Sequence, residues 1–262
     1  MRRVLVAADL HSGHRAGLTP PKWQGNPMLE KWADLRALLW YEFAKKIDSL
    51  RPFDTAIWNG DLIDGRGSRS GSTELITADR LEQTDIATAV IEFVGAEHNI
   101  ITRGTPYHVG DNGEDYENII AKNVKADSIT DQEWPSIEGV VFDCKHTIGN
   151  TAIPHGKGTP ILKEKLWNLI HYEFYESQPK ADIFIRSHVH YFFHVEDGLS
   201  HGFITPALQG LGSKYGSRIC KGLVHFGFIW FDITTRQDWL ENPQWNKWLL
   251  TGSTQRKEAL IL

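Results

Sequence analysis

The chain has 262 residues, of which 41% are hydrophobic and 23% charged, and its formal net charge is −5. This is the composition of a packed soluble enzyme, and a chain of this length can bury a wide core without disulfide bonds. The negative charge argues against a surface devoted to non-specific nucleic-acid binding, and no apolar run approaches the ~18 residues of a membrane span. We therefore expect a cytoplasmic protein in which Cys144 and Cys220 are reduced.

The first three quarters of the chain alternate between strand-like and helix-like patterns. Short apolar or β-branched runs predict strands, and apolar residues at helical spacing predict amphipathic helices. In chain order these are a strand at 4–8, a helix at 28–50, a strand at 55–58, a helix at 77–93 capped by Thr77 or Asp79, strands at 99–102 and 139–144, a helix at 160–176 and a strand at 182–186. Residues 103–115 form a long polar loop by composition.

The pattern changes after residue 190. Strand-like segments at 191–195, 200–205 and 222–232 have no helices between them, which predicts antiparallel pairing. The tail from about residue 235 carries Trp239, Trp245 and Trp248, which we expect to pack against the rest of the chain. Strand–helix alternation followed by a β-rich end predicts an α/β sandwich that forms one domain over residues 1–262.

Each predicted strand of the alternating part is followed by residue types that bind metals. In chain order they are Asp9 and His11, Asp61 after Gly60, the Gly104-Thr105-Pro106-Tyr107-His108 segment, His146, and His188 with His190. Ligands of open α/β folds bind beyond the carboxyl ends of the strands, so these side chains are expected to converge. Mixed carboxylate and imidazole donors suit Mn, Fe, Zn or Ni better than a dedicated Ca or Mg cage.

The order of these motifs (DxH, GDxxD, a glycine-led loop with His, a lone His, then HxH) resembles the calcineurin-like metallophosphoesterases, over roughly residues 1–195 and less closely to 232. Phage- or prophage-encoded members of that family are similar in general appearance. The resemblance implies a metallophosphoesterase-type four-layer α/β/β/α sandwich with two mixed β-sheets. It also implies two divalent metals, Mn before Fe, Zn or Ni, spaced ~3.5–4 Å apart. Asp9, His11, Asp61 and His190 would hold one metal, and Asp61 would bridge to a second held by His146 and His188.

The chain departs from the family pattern after the third strand. Thr105 and Pro106 stand where the family usually has Asn and His. Either Thr105 supplies a neutral oxygen ligand, or His108 enters the site as a ligand or acid; we favour His108 as the catalytic proton donor to the leaving oxygen. The lone histidine is also ambiguous, because the strand-end position favours His146 whereas the family's His-Gly pair favours His155.

Three cations in glycine- or serine-rich loops are candidates for substrate binding: Arg66, Lys157 and Arg218. Arginine can grip a phosphate with two hydrogen bonds, although each of these residues is equally consistent with a solvated loop charge. Asp64 is expected to cap its loop or orient a ligand, and Asn59 either supports a ligand or is an ordinary polar residue.

These patterns predict a metal-dependent phosphoesterase in which a hydroxide activated by two metals attacks phosphorus. We favour a phosphodiesterase or nuclease, whose substrate would be a phosphoester such as a nucleotide or nucleic acid. The alternatives are a phosphomonoesterase acting on a protein or small molecule, and a binding or scaffold protein that kept the fold and lost turnover. The altered loop at Thr105 motivates the last alternative. The patterns leave the oligomeric state open.

Overall fold

The computed structural model of the protein describes residues 1–26, 28, 30, 32–110, 115–151, 153–210 and 224–250. The strands are β1 (Arg2–Ala7), β2 (Thr55–Asn59), β3 (His98–Thr102), β4 (Ser128–Thr130), β5 (Gln132–Glu133), β6 (Ser136–Ile137), β7 (Val140–Lys145), β8 (Ile183–Arg186), β9 (Phe193–Glu196), β10 (His201–Ile204), β11 (Gly227–Ile233) and β12 (Trp245–Leu249). The α-helices are α1 (Ala33–Leu50), α2 (Arg80–Val94), α3 (Pro106–Val109), α4 (Tyr116–Val124), α5 (Thr159–Ile170) and α6 (Arg236–Glu241).

The strands form two mixed sheets. The first has the order β12-β11-β1-β2-β3-β4, in which β1 to β4 are parallel and β11 and β12 are antiparallel to their neighbours. The second has the order β5-β7-β8-β10-β9, with β7, β8 and β10 parallel and both edge strands antiparallel. The parallel strands are those that precede the candidate ligands, so their carboxyl ends deliver these residues.

Two layers of helices cover the outer faces of the sheets. Between the sheets lies an apolar core that includes Val6, Ile57 and Phe142. Helices α1, α2 and α4 pack on the first sheet, and α5 packs on the second through Ile161. Burial of each large apolar side chain contributes roughly 1.5–3 kcal/mol. The four-layer α/β/β/α sandwich with two mixed sheets is therefore confirmed.

Helix boundaries differ from the predicted ones where local hydrogen bonds compete with the helix. α1 begins at Ala33 rather than residue 28, and the Asn26 side chain accepts a hydrogen bond from the Met28 N–H, which holds a turn there. α2 begins at Arg80, because the carboxylate of Asp79 caps it by accepting from the Leu81 N–H. α5 ends at Ile170 and continues as a π-helical turn to residue 175.

Several elements were not predicted. The expected polar loop at 103–115 contains α3, and α4 follows it directly, capped by the Asp115 carboxylate. In the C-terminal segment Trp239 is buried on α6, while Trp245 and Trp248 lie on β12, which pairs with β11. Within the described ranges, no helix has the length and apolar character needed to cross a membrane. Cys144 is a buried free thiol, and Cys220 lies outside the described residues.

Candidate metal centre

The candidate ligands leave their strands with an unusual backbone conformation. Positive φ angles occur at Asp9 (53°), His11 (45°), Asp61 (51°), His188 (73°) and His190 (56°). Residues other than glycine rarely occupy this left-handed region, although Asp and His tolerate it better than most. Each costs roughly 1–3 kcal/mol, which the surrounding structure must offset. Concentration of such strain at five candidate ligands is typical of a functional site.

Three donor atoms converge beyond the ends of β1 and β8. His190 Nε2 lies 3.2 Å from both Asp9 Oδ1 and His11 Nε2, and His11 Nε2 lies 3.8 Å from Asp9 Oδ1. All three ligand atoms lie within 4.8 Å of one another. One carboxylate and two imidazoles could therefore bind a single ion.

A second group forms beyond β2, β7 and β8. Asp61 Oδ2 is 3.0 Å from His146 Nε2, and His188 offers a third donor within 4.8 Å. The two groups adjoin, since His146 Nε2 also lies 3.9 Å from Asp9 Oδ1. A third, overlapping group joins Asp61 to His11 and His108.

The imidazoles are held in one orientation by hydrogen bonds from Nδ1. His11 donates to the Asp64 carboxylate at 2.9 Å, so Asp64 fixes the orientation of this ring. His146 donates to the Asn59 carbonyl at 2.6 Å, and His108 donates to the Asp64 carbonyl at 2.8 Å. Fixing a proton on Nδ1 makes Nε2 the atom that binds a metal once any proton on Nε2 has left. All three rings thus present a metal-binding nitrogen.

Two buried atoms of the cluster make no hydrogen bond within the described structure, namely Asp9 Oδ1 and His146 Nε2. Buried polar groups are rarely left unsatisfied, because each costs desolvation free energy without a compensating bond. A divalent metal between carboxylate and imidazole donors would satisfy both atoms. The donor set and its two unsatisfied atoms therefore fit bound metal.

Strong electrostatic coupling accompanies this geometry. Burial lowers the pKa of His11, but its hydrogen bond to Asp64 and the nearby charges of the Asp9 and Asp61 carboxylates outweigh this effect and raise the pKa to about 10. Burial likewise opposes protonation of His146, whereas the charges of Asp61 and Asp9 bring its pKa to about 9. Burial raises the pKa of Asp61, yet the neighbouring His146 charge lowers it below its ordinary value. The carboxylates therefore stay ionised and hold protons on the imidazoles until a metal displaces them.

Two glycines permit the close approach of the loops. Gly60 has φ +82°, and a Cβ there would lie 2.6 Å from the ring of His146. A Cβ on Gly104 would lie 2.2 Å from Asp61 Oδ1. Any side chain at either position would displace a candidate ligand.

The third loop places Thr105 and His108 in different roles. The Thr105 N–H donates to Asp61 Oδ1 at 2.6 Å, and its hydroxyl is 3.1 Å from the same oxygen. Thr105 thus braces the carboxylate that would bridge the metals. The ring of His108 packs edge-on to that of His11, with centroids 4.5 Å apart, so His108 lies within the cluster.

The remaining predicted residues lie at different distances from the cluster. His155 is exposed on the 3-10 turn at 154–156, lines a groove of about 670 Å³ and joins none of the ligand groups. Lys157 Nζ lies 4.2 Å from the ring of Tyr191, the residue after His190. Arg66 is exposed in the turn two residues after Asp64. Arg218 lies outside the described residues.

Glu117 is a supporting residue that the sequence did not reveal. Its buried carboxylate accepts hydrogen bonds from the Leu62 N–H at 2.9 Å and the Gly104 N–H at 2.7 Å. It therefore ties the Asp61 loop to the Thr105 loop. Burial raises the pKa of Glu117 to about 8, against the opposing effect of these two bonds. No sequence signal marks it, because its partners are backbone groups of distant loops.

Asn59 and Gln83 also support the strand-end loops. The Asn59 side chain donates to Ser187 Oγ at 2.6 Å and accepts from Thr102 Oγ1 at 2.6 Å, which links the two sheets below the cluster. Gln83 pairs with both backbone groups of Gly65, at 2.8 and 2.9 Å. The position of Asn59 just before the GD pair was the one available signal.

Comparison with protein-family models and with curated proteins finds no match. Solved structures similar to the chain include zinc-complexed Vps29 from Entamoeba histolytica (14% identity, 96% of this chain and 94% of that one, TM-score 0.49). An archaeal phosphodiesterase is also similar, with 11% identity over 95% of this chain and 99% of that one and a TM-score of 0.47. A predicted phosphoesterase from Streptococcus pneumoniae has 9% identity over 95% of this chain and 98% of that one and a TM-score of 0.38. At these identities and TM-scores, none of the similarities supports an inference about activity.

Proposed function

We propose that this chain is a metal-dependent phosphoesterase of the calcineurin-like kind. The observation that carries the proposal is the meeting of two donor groups, one around Asp9 and one around Asp61, with the unsatisfied atoms Asp9 Oδ1 and His146 Nε2 between them. Four separate chain segments supply the donors of these two groups, and His108 of the overlapping third group comes from a fifth. A purely structural cluster gains nothing from leaving two buried polar atoms unpaired.

In this proposal Asp9, His11 and His190 hold one metal, and Asp61 is shared with a second. His146 and His188 complete the second set. When bound, two divalent metals supply Lewis acidity that lowers the pKa of water and stabilises charge on the phosphoryl oxygens. We favour Mn among the metals that suit such donors. Thr105 supports this arrangement by holding the Asp61 carboxylate in place.

We propose that His108 delivers a proton to the leaving oxygen. Its Nδ1–H is anchored on the Asp64 carbonyl, which fixes the ring at the edge of the cluster. Burial and the nearby charge of His11 lower the pKa of His108. An anionic substrate would counter these effects and favour the protonated form. If the substrate does not raise the pKa in this way, the His108 ring stays neutral and is suited to bind a metal. The alternative role of His108 is therefore that of a metal ligand.

Phosphodiesters are the favoured substrate class, including nucleotides and nucleic acid. The lengths of the segment 104–115, of which α3 takes only four residues, and of the segment from Lys157 onward favour a broad cleft, and Lys157 next to the HxH loop supplies a positive charge. Arg66 and Arg218 are proposed to add further cationic contacts. A phosphomonoesterase acting on a protein or small molecule is the alternative within the class.

A scaffold that lost turnover is the second candidate function. The residue that favours a scaffold is Thr105, which stands where the family usually has Asn, so this loop offers no amide side chain to a second metal. The N–H and hydroxyl of Thr105 contact Asp61 instead. Elemental analysis after loading with Mn, combined with phosphomonoester, phosphodiester, cyclic nucleotide and DNA substrates, separates the two functions. About two equivalents of metal with turnover supports the enzyme. One equivalent or none, with every substrate untouched, would establish the scaffold.

A further inference from the structure

Outside the strand-end cluster, another group of histidine and glutamate side chains lies on the edge of the second sheet. β9 and β10 pair antiparallel there, with Glu196 opposite His201 and His194 opposite Phe203. Side chains directly opposite each other in such a pair lie on the same face, and so do residues two apart along a strand. His194, Glu196 and His201 therefore share one face, on strands joined by only a short turn.

Their donor atoms lie close enough to share one ion. His194 Nε2 is 3.1 Å from His201 Nδ1, and His201 Nδ1 is 3.9 Å from Glu196 Oε2. The two rings are nearly parallel, with an interplanar angle of 12°. Two nitrogens bound to one zinc ion at about 2.0–2.1 Å would be separated by a distance close to that observed.

The surroundings are apolar on one side and open to water on the other. His201 is 6% exposed and meets the edge of the Trp239 ring at a centroid distance of 4.8 Å. The ring of Trp245 lies 4.5 Å from that of His194. Glu196 is exposed. Aromatic walls hold the imidazoles, while the carboxylate and the open side leave room for water as a further ligand.

Both imidazoles are in the form that binds metals. Burial lowers the pKa of His194 to about 4 and also lowers that of His201, which favours the neutral imidazole over the charged one. The nearby cation Lys165 pairs with Asp197 at 2.8 Å, which compensates its charge. His194 Nε2 and His201 Nδ1 share a hydrogen bond without metal, so one of them carries a proton that must move to the other nitrogen of its ring when an ion binds.

We propose that His194, Glu196 and His201 form a site for a divalent late transition metal, zinc before others. Two imidazoles and one carboxylate are a donor set that suits zinc. The ion would cross-link β9 to β10 at the sheet edge. Because β9 begins three residues after His190, the cross-link would also stabilise the strand that continues from the HxH loop.

Anomalous scattering at the zinc edge from crystals of the wild-type protein grown with ZnCl₂ tests this site directly. We expect a peak within about 2.3 Å of His194 Nε2 and His201 Nδ1, in addition to peaks at the strand-end cluster. Peaks at the strand-end cluster with none at His194 would overturn the site and leave the proposed phosphoesterase function unaffected. The converse pattern would retain this site and count against the proposed function.

A zinc titration against a chromophoric chelator gives the test in solution. The doubly substituted His194→Gln/His201→Gln protein should bind one equivalent less than the wild type and should keep its Mn-dependent turnover. Glu196→Gln changes an exposed side chain, so the fold should be preserved, and it should lower the affinity of this site for zinc by at least about tenfold. His98→Gln removes an exposed imidazole elsewhere and should change nothing. Equal stoichiometry and affinity in the wild type and Glu196→Gln would overturn the proposal even if the double variant does not fold.

Discussion

Asp9 Oδ1 and His146 Nε2 lie 3.9 Å apart, although Asp9 follows a strand of the first sheet and His146 follows a strand of the second. Each atom is buried and has no hydrogen-bond partner among the described residues. The candidate metal centre is thus built across both sheets, and the apolar core between them sets its geometry. A shift of one sheet against the other would pull apart the donors within each group, since each group takes donors from both sheets.

The role of His108 can be tested by comparing substrates whose leaving groups differ in their need for a proton. Replacing it with alanine should slow hydrolysis of an alkyl phosphodiester by about 100-fold or more, because the alkoxide then leaves without a proton. A p-nitrophenyl diester, whose leaving group needs no proton, should lose much less. Steady-state rates for both substrates and metal content check this. Equal losses together with a missing metal equivalent would show that His108 is a ligand instead.

His146 and His155 form a matched pair for substitution by alanine. His146→Ala removes a buried donor from the Asp61 group and should lower metal affinity and turnover by at least about 100-fold. His155→Ala removes an exposed ring that joins no ligand group and should leave both unchanged. Circular dichroism should confirm that both variants fold. A large loss for His155→Ala alone would reverse the assignment of the lone histidine.

Glu117 is expected to act on metal affinity without touching metal. Glu117→Gln leaves one acceptor oxygen for two backbone N–H groups, so the Asp61 and Thr105 loops should lose their common anchor. Mn affinity should fall roughly 10–100-fold, the usual effect of removing a group that orients ligands. Glu173→Gln, on the exposed turn after α5, is the control. Unchanged Mn affinity in Glu117→Gln would show that this anchor is dispensable.

Metal binding at the strand-end cluster should release protons at pH 7. The pKa values of His11 and His146 are about 10 and 9 without metal, so both rings are protonated at pH 7 and must lose a proton to bind. Affinity should therefore rise with pH between 7 and 10. Calorimetry in buffers of different ionisation enthalpy should report about two protons released per chain at pH 7. Release of none would show that these rings are neutral or do not bind.

Regular elements with a strong hydrophobic period were predictable from sequence, and those set by local polar contacts were not. The strands that precede Asp9, Asp61 and His188 each contain a short buried apolar run, so their position and type were evident. α4 has only nine residues, and its start is set by a local polar contact, the Asp115 cap. α3 has only four residues and lies inside the polar segment 103–115, so composition predicted a loop there.

The same distinction applies to the site. Asp9, His11, Asp61 and the HxH pair were predictable because strand ends bring chemistry-bearing residues to one edge. Glu117 was not, because its function lies in two backbone bonds made across the fold. Sequence could not choose between His146 and His155, since both positions fit the motif order; the structure adds that His146 Nε2 lies 3.0 Å from Asp61 Oδ2, which favours His146.

The most direct measurement is the rate of hydrolysis of bis(p-nitrophenyl) phosphate by chelator-treated protein as Mn is added back. We expect no turnover in the stripped protein, a rise in rate that saturates near two equivalents per chain, and loss of the activity when chelator is restored. The metal-loaded Asp61→Asn variant should stay inactive, since it lacks the shared carboxylate. Fully loaded wild-type protein that leaves both this diester and an aryl monoester unchanged would contradict the proposed function.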